Sequence, residues 1–133
     1  MSYFATADEV YEYVGGVFRL ANDTPGVGEK LRAADMVLRL NYRGPDATIT
    51  VVMKQPAVQV ITGPTDVKPD VVMALSSDNA DKYWRGEYNV AVGLAKGEVK
   101  AKGPVTKILK LIPVTKPLFP MYKELVATKD AAR

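Results

Sequence analysis

Apolar residues recur along this chain at two different spacings, and each change of spacing marks an element. Val10, Val14, Val17, Phe18 and Ala21 fall three or four apart, the period of one helix face. Thr6-Ala7-Asp8-Glu9 precedes them and fits a capping box, with Glu9 at the third position after Thr6. Gly15-Gly16 weakens the interior of this helix and leaves room for another element to pack closely. Asn22-Asp23-Thr24-Pro25-Gly26 ends it, with one or two further turns expected over Gly28–Ala33.

The period then drops to two. Met36, Leu38, Leu40 and Tyr42 alternate with Val37, Arg39, Asn41 and Arg43, which predicts a half-buried strand. Arg43-Gly44-Pro45-Asp46 predicts a hairpin turn. Ile49, Val51 and Met53 line one face of the returning strand, and Pro56 interrupts it. Val58, Val60 and Thr62 supply a third strand, and Val71, Met73 and Leu75 one side of a fourth over residues 70–76. Short strands joined by tight turns predict an antiparallel meander.

Asp78 is placed to cap a helix running to Gly86, with a second short helix over residues 88–95. Glu98-Val99-Lys100-Ala101-Lys102-Gly103 alternates again, with Val99 and Ala101 facing in and charges facing out, the composition of a protected edge strand. From Val105 the period is helical, and Pro113, Pro117 and Pro120 are expected to break it into short pieces, the last over residues 120–128.

Twelve apolar residues crowd the 22 positions from Val105 to Val126, with Lys107, Lys110, Lys116 and Lys123 spread among them. Lys107 and Lys110 lie three apart, opposite a broader face of Val105, Ile108, Leu109 and Ile112. Such a segment packs on a sheet with its basic side toward water or anionic headgroups. The formal charge of +3 is concentrated here, since residues 97–133 carry eight Lys and Arg against three Asp and Glu. A solvated rim accounts for this as well as a membrane, an acidic partner or nucleic acid does.

The 133 residues, 47% of them hydrophobic and 25% charged, predict one folded domain over residues 1–133. The N-terminal residues lack a secretory pattern, and no uncharged stretch approaches the roughly 20 apolar residues that span a bilayer. A cytoplasmic location is expected by elimination. With no His and no Cys, thiol chemistry, imidazole bases and soft metal ligands are absent. Asp78 and Asp81, three apart, are explained by helix capping and dipole stabilisation. No dinucleotide or phosphate loop is complete, and Lys100 and Lys102 have no interleaved aromatics for base stacking. No enzyme, cofactor, metal or nucleic-acid partner is expected.

Gly86-Glu87-Tyr88-Asn89, a short helical stretch, and then Lys96-Gly97-Glu98-Val99-Lys100-Ala101-Lys102-Gly103 form a recognisable series, preceded by the strand over residues 69–76. In these segments and in element order over about residues 8–126, the chain resembles the sterol carrier protein type 2 domain, also called the nonspecific lipid-transfer domain. The resemblance implies an α/β (α+β) fold, a five-stranded, mostly antiparallel sheet with helices packed on one face, and an apolar tunnel between them. It implies a carrier of fatty acid, acyl-CoA, phospholipid or sterol, found free-standing or appended to enzymes. The sequence departs from the family after Gly103, where prolines replace a small-polar, Met-rich helix start, so the terminal region is expected to cover the tunnel differently.

The family places its ligand against the inner sheet face and the terminal helices. By that resemblance and the strand faces above, the expected ligand-facing residues are Phe18, Leu38, Val51, Met53, Met73, Trp84, Leu111, Phe119 and Tyr122. Ordinary core packing is the competing account of each. Lys107 and Lys110 are expected to meet a lipid headgroup or an anionic membrane transiently. The same terminal surface would serve a homodimer, and the alternative function is a ligand-free dimerisation or interaction module of this fold.

Overall fold

The alternating segments pair into one five-stranded sheet in the computed structural model, which describes residues 2–132. Strands β1 (Met36–Arg43), β2 (Ala47–Met53), β3 (Gln59–Thr62), β4 (Val71–Ser76) and β5 (Lys100–Lys102) lie in the order β3-β2-β1-β4-β5. The first three form the expected meander. Strand β4 returns on the far side of β1 and runs parallel to it, while β5 pairs antiparallel with β4 at the edge. Register stacks one apolar face: Leu38 stands between Val51 and Val71, Leu40 between Ile49 and Met73, and Tyr42 beside Leu75. On the opposite face Arg39 donates to Thr50 Oγ1 at 3.2 Å and to the carbonyl of Val67, so the connection to β4 crosses that side and buries Thr50.

Helices cover the apolar face. Thr6 Oγ1 accepts from the Glu9 amide at 3.3 Å, and Glu9 reaches back to the Ala5 amide at 2.6 Å, one residue beyond the ordinary capping box. Helix α1 (Ala7–Val10) passes through a π-helical turn (Tyr11–Gly15) into α2 (Gly16–Asn22), and α3 (Gly28–Ala33) follows. The two glycines sit where this long helix touches its neighbours. A methyl group on Gly15 would lie 3.4 Å from Val60, and one on Gly16 3.9 Å from Leu125.

Helix α4 (Ser77–Trp84) follows β4 without a loop, and the expected cap is corrected: Ser76 caps it, its hydroxyl accepting from the Asn79 amide at 3.1 Å. Asp78 instead accepts from the Tyr3 amide at 2.8 Å, tying the N-terminal arm to α4. Helix α5 (Val90–Lys96) begins at Asn89 and ends at Gly97, whose φ of 77° is the left-handed conformation a helix C-cap needs. Helices α6 (Val105–Thr115) and α7 (Leu118–Ala131) complete the chain. Only Pro117 breaks the terminal segment. Pro113 lies within α6, and Pro120 is the third residue of α7, in the first turn, where backbone N–H groups have no helical partner anyway.

Candidate functional site

The two ends of the apolar face are covered unequally. Over β2 and β3 lie the π-helical turn and α2, and Val10, Val14, Val17, Phe18 and Ala21 of this long helix are fully buried. Over β1, β4 and β5 the cover is α5 and α6, which bury far less: Gly93 alone in α5, and Leu111 and Thr115 in α6. Between this light cover and the sheet lies a cavity of about 120 Å³.

Its floor is Leu38, Leu40 and Tyr42 of β1 with Met73 and Leu75 of β4. Ala80, Tyr83 and Trp84 of α4 close one side, and Val99 leads into β5. Val90, Ala91 and Leu94 of α5 face Ile108, Leu109, Leu111, Ile112 and Thr115 of α6 across the remaining wall. Leu94 and Leu109 line the cavity while standing 39% and 64% exposed, so the mouth opens between α5 and α6. No lining residue is charged.

Of the residues expected from sequence to face a ligand, Leu38, Met73, Trp84 and Leu111 line this cavity together. Phe18, Phe119 and Tyr122 stand behind its aromatic wall. The Phe18 ring meets Trp84 edge-on at 5.3 Å, Phe119 meets Tyr83 edge-on at 5.2 Å, and Tyr122 lies 6.4 Å from Trp84. Val51 and Met53 are fully buried on β2, apart from the cavity lining. Leu40, Tyr42 and Leu75 share the alternating faces already visible in sequence. The α5 residues gave no signal of their own, because a seven-residue helix with no charge before Lys96 does not reveal what it covers.

The two lysines expected to meet headgroups hold α6 in place. Lys107 Nζ is 3.6 Å from Asp70 Oδ1, and Lys110 Nζ donates to the Ala34 carbonyl at 3.1 Å. Asp70 also accepts from the Val37 amide at 2.8 Å. That hydrogen bond first, then the Lys107 charge, holds its carboxyl below the ordinary carboxylate range against partial burial. Because the folded value lies below the unfolded one, the stabilisation is full above the ordinary range and is lost as pH falls through the lowered value. Asp70→Asn should therefore melt below the parent protein at neutral pH, with the gap closing as pH falls through and below the ordinary carboxylate range. Thermal melts at several pH values check this, and a gap independent of pH would remove Asp70 from the acid response.

Among the described residues no group of His, Cys, Asp and Glu is arranged to hold a metal ion, and no helix is long and apolar enough to cross a membrane.

Solved structures share this architecture. A sterol carrier protein domain of Helicoverpa armigera matches with a TM-score of 0.69 at 19% identity, over 90% of this chain and 95% of that one. Sterol carrier protein 2 of Yarrowia lipolytica, in its apo form, matches with a TM-score of 0.65 at 20% identity, over 77% of this chain and 87% of that one. An inverting sec-alkylsulfatase of Pseudomonas sp. also matches, with a TM-score of 0.56 at 19% identity, over 65% of this chain but only 14% of the enzyme. At these identities the structures establish the fold alone. No curated protein matches the sequence. The profile of the SCP-2 sterol transfer family matches residues 17–116, a span from α2 to just past the end of α6 that contains every residue lining the cavity. The chain belongs to the SCP-2 sterol transfer family, whose general role is to bind and transfer lipids without catalysing a reaction.

Proposed function

We propose that this protein carries the hydrocarbon part of a lipid in the cavity between β1, β4 and helices α4–α6, and exchanges it through the α5–α6 mouth. The observation that carries this reading is the uncharged, nearly all-apolar lining of a space of about 120 Å³. An apolar cavity of about 150 Å³ in another protein stays dry and takes up benzene. The present volume thus suits a segment of chain or one ring, and a longer ligand extends along Leu94, Leu109 and Val105 or displaces α6. Burial of ~250 Å² of acyl surface gives roughly 6 kcal/mol before binding costs are subtracted. Exchange breaks no covalent bond; it requires a wall that moves, and the little-buried α5 and α6 supply one.

The site includes its own reporter. Trp84 is the only tryptophan and it lines the cavity. Titration with a fatty acid, a fatty alcohol or a sterol is expected to shift Trp84 emission saturably, and an organic extract of the purified protein is expected to contain lipid. A protein that extracts clean and responds to none of these would end the proposal.

A second reading, pairing of two copies through α6, is favoured by the exposure of Val105 at 68% beside Leu109. Sedimentation as a monomer at high concentration removes it, whereas a dimer abolished by Val105→Lys supports it.

A further inference from the structure

Four of the residues lining the cavity carry a polar side-chain group besides the Met73 thioether: Tyr42, Tyr83 and Thr115 with their hydroxyls, and Trp84 with its indole N–H. Three of their four hydrogens have acceptors. Thr115 Oγ1 donates to the Leu111 carbonyl at 2.8 Å, so in its 2.5 Å contact with Tyr83 the tyrosine is the donor. Trp84 Nε1 donates to Tyr42 Oη at 3.2 Å. Tyr42 therefore accepts, and among the described residues nothing accepts its own O–H. The residue is only 6% exposed. Buried donors almost always have partners, and an orphaned one costs about as much as a lost hydrogen bond.

We infer that the Tyr42 hydroxyl recognises the ligand, donating to a neutral, acceptor-only oxygen, a ketone or ester carbonyl, on a lipid that enters oxygen first. This rests on the cavity being the lipid site and adds an orientation and a chemical class to it. A carboxylate or phosphate does not fit this end. The cavity lining has no cation, while Lys107 and Lys110 are held by Asp70 and the Ala34 carbonyl. A buried, unpaired anion would lose more by desolvation than one phenol returns. A hydrocarbon end fits but leaves the Tyr42 proton without a partner. With the carbonyl against β1, the chain points to the mouth between Leu94 and Leu109, where an exposed tail meets apolar side chains.

Positional isomers provide the test, because 2-octanone and 4-octanone partition from water almost equally and differ in where the oxygen lies. Binding to the native protein is followed by Trp84 emission, and the carbonyl stretch of the bound ketone by infrared difference spectroscopy. The native protein is expected to bind 2-octanone about fivefold more tightly than 4-octanone, the worth of one hydrogen bond. The carbonyl stretch should fall to lower frequency, and Tyr42→Phe should abolish both the preference and the shift. Because Tyr42→Phe also leaves the Trp84 N–H without an acceptor, the isomer comparison in native protein stands on its own. Equal affinity for the two ketones, with n-octane also bound, overturns this inference and leaves the cavity as a lipid site. No response to any of the three compounds overturns both.

Discussion

Ala91→Phe is expected to weaken lipid binding at least tenfold while leaving the protein as stable as before or slightly more so. Ala91 is exposed on α5, yet it lines the cavity. A ring added there can turn inward without displacing any buried side chain. The space it enters is about 120 Å³, on the scale of one benzene ring, so a phenylalanine occupies most of it. Tenfold corresponds to about 1.4 kcal/mol, only a fraction of what a buried hydrocarbon segment contributes. Filling a void with apolar atoms commonly adds about 0.5–2 kcal/mol of stability, which offsets the cost of placing a ring on a short helix. Stability and binding should thus move in opposite directions, a pattern that a misfolded variant cannot imitate. Probe displacement and thermal melts on the same sample measure both. Binding unchanged in a variant that melts at or above the parent temperature would show that the lipid lies elsewhere.

The cavity floor was legible in sequence because alternation fixes which side chains share a face once register is set. Leu38 and Met73 could be placed in this way, and Leu40, Tyr42 and Leu75 follow from the same rule. The edge position of β5 was legible too, since Lys100 and Lys102 protect a strand with no outer partner. The course of the last helices was not. Pro113 removes a backbone donor whose acceptor would be the Leu109 carbonyl, but both residues stand on the exposed side of α6, where water satisfies what the proline leaves open. Which apolar residues enclose space, and which fill it, depends on how lightly α5 and α6 lie over the sheet. Phe18, Phe119 and Leu111 have equally apolar sequence surroundings, yet only Leu111 borders the void. Asp81 was the least legible. Three residues after Asp78 it reads as helix-dipole compensation, and only the docking of α7 places a tyrosine hydroxyl against it.

That docking sets the second large effect: Asp81→Ala is expected to cost about 3–5 kcal/mol, the usual consequence of removing one member of a buried charge network. Asp81 is 7% exposed and accepts from the Tyr122 hydroxyl at 2.7 Å and from the single Nε–H of Arg85, which is shared between its two carboxylate oxygens at 3.0 Å each. Burial, reinforced by the facing Asp81 carboxylate, pushes the Tyr122 hydroxyl well above the ordinary tyrosine range, so it remains a donor throughout the accessible pH range. Arg85 continues to Asp130 at 3.1 and 3.3 Å, and Tyr3 donates to the same carboxylate at 2.6 Å, with the guanidinium 4.8 Å above the Tyr3 ring. One carboxylate thus joins α4 to α7 and, through Arg85 and Asp130, to the N-terminal arm. Its removal strands the Tyr122 hydroxyl in an apolar setting and leaves Arg85 with half its partners. Tyr122→Phe, which deletes only the hydroxyl and its hydrogen bond to a charged carboxylate, should cost about 1.5–3 kcal/mol, and the loss for Asp81→Asn should not exceed that for Asp81→Ala. In a domain of this size Asp81→Ala should lower the melting temperature by roughly 10–20 °C. Urea denaturation of the three variants measures the series, and a loss below about 1 kcal/mol for Asp81→Ala would show that α4 and α7 hold together without it. Because α4 carries Tyr83 and Trp84, the same network fixes the rigid wall of the cavity. Among the described residues α6 is held by the Asp70–Lys107 pair, the Lys110 hydrogen bond and the Tyr83–Thr115 hydrogen bond, and neither α5 nor α6 takes part in a buried charge network of this kind. Amide exchange should consequently be slow in α4 and α7 and faster in α5 and α6, as the proposed entry between α5 and α6 would require.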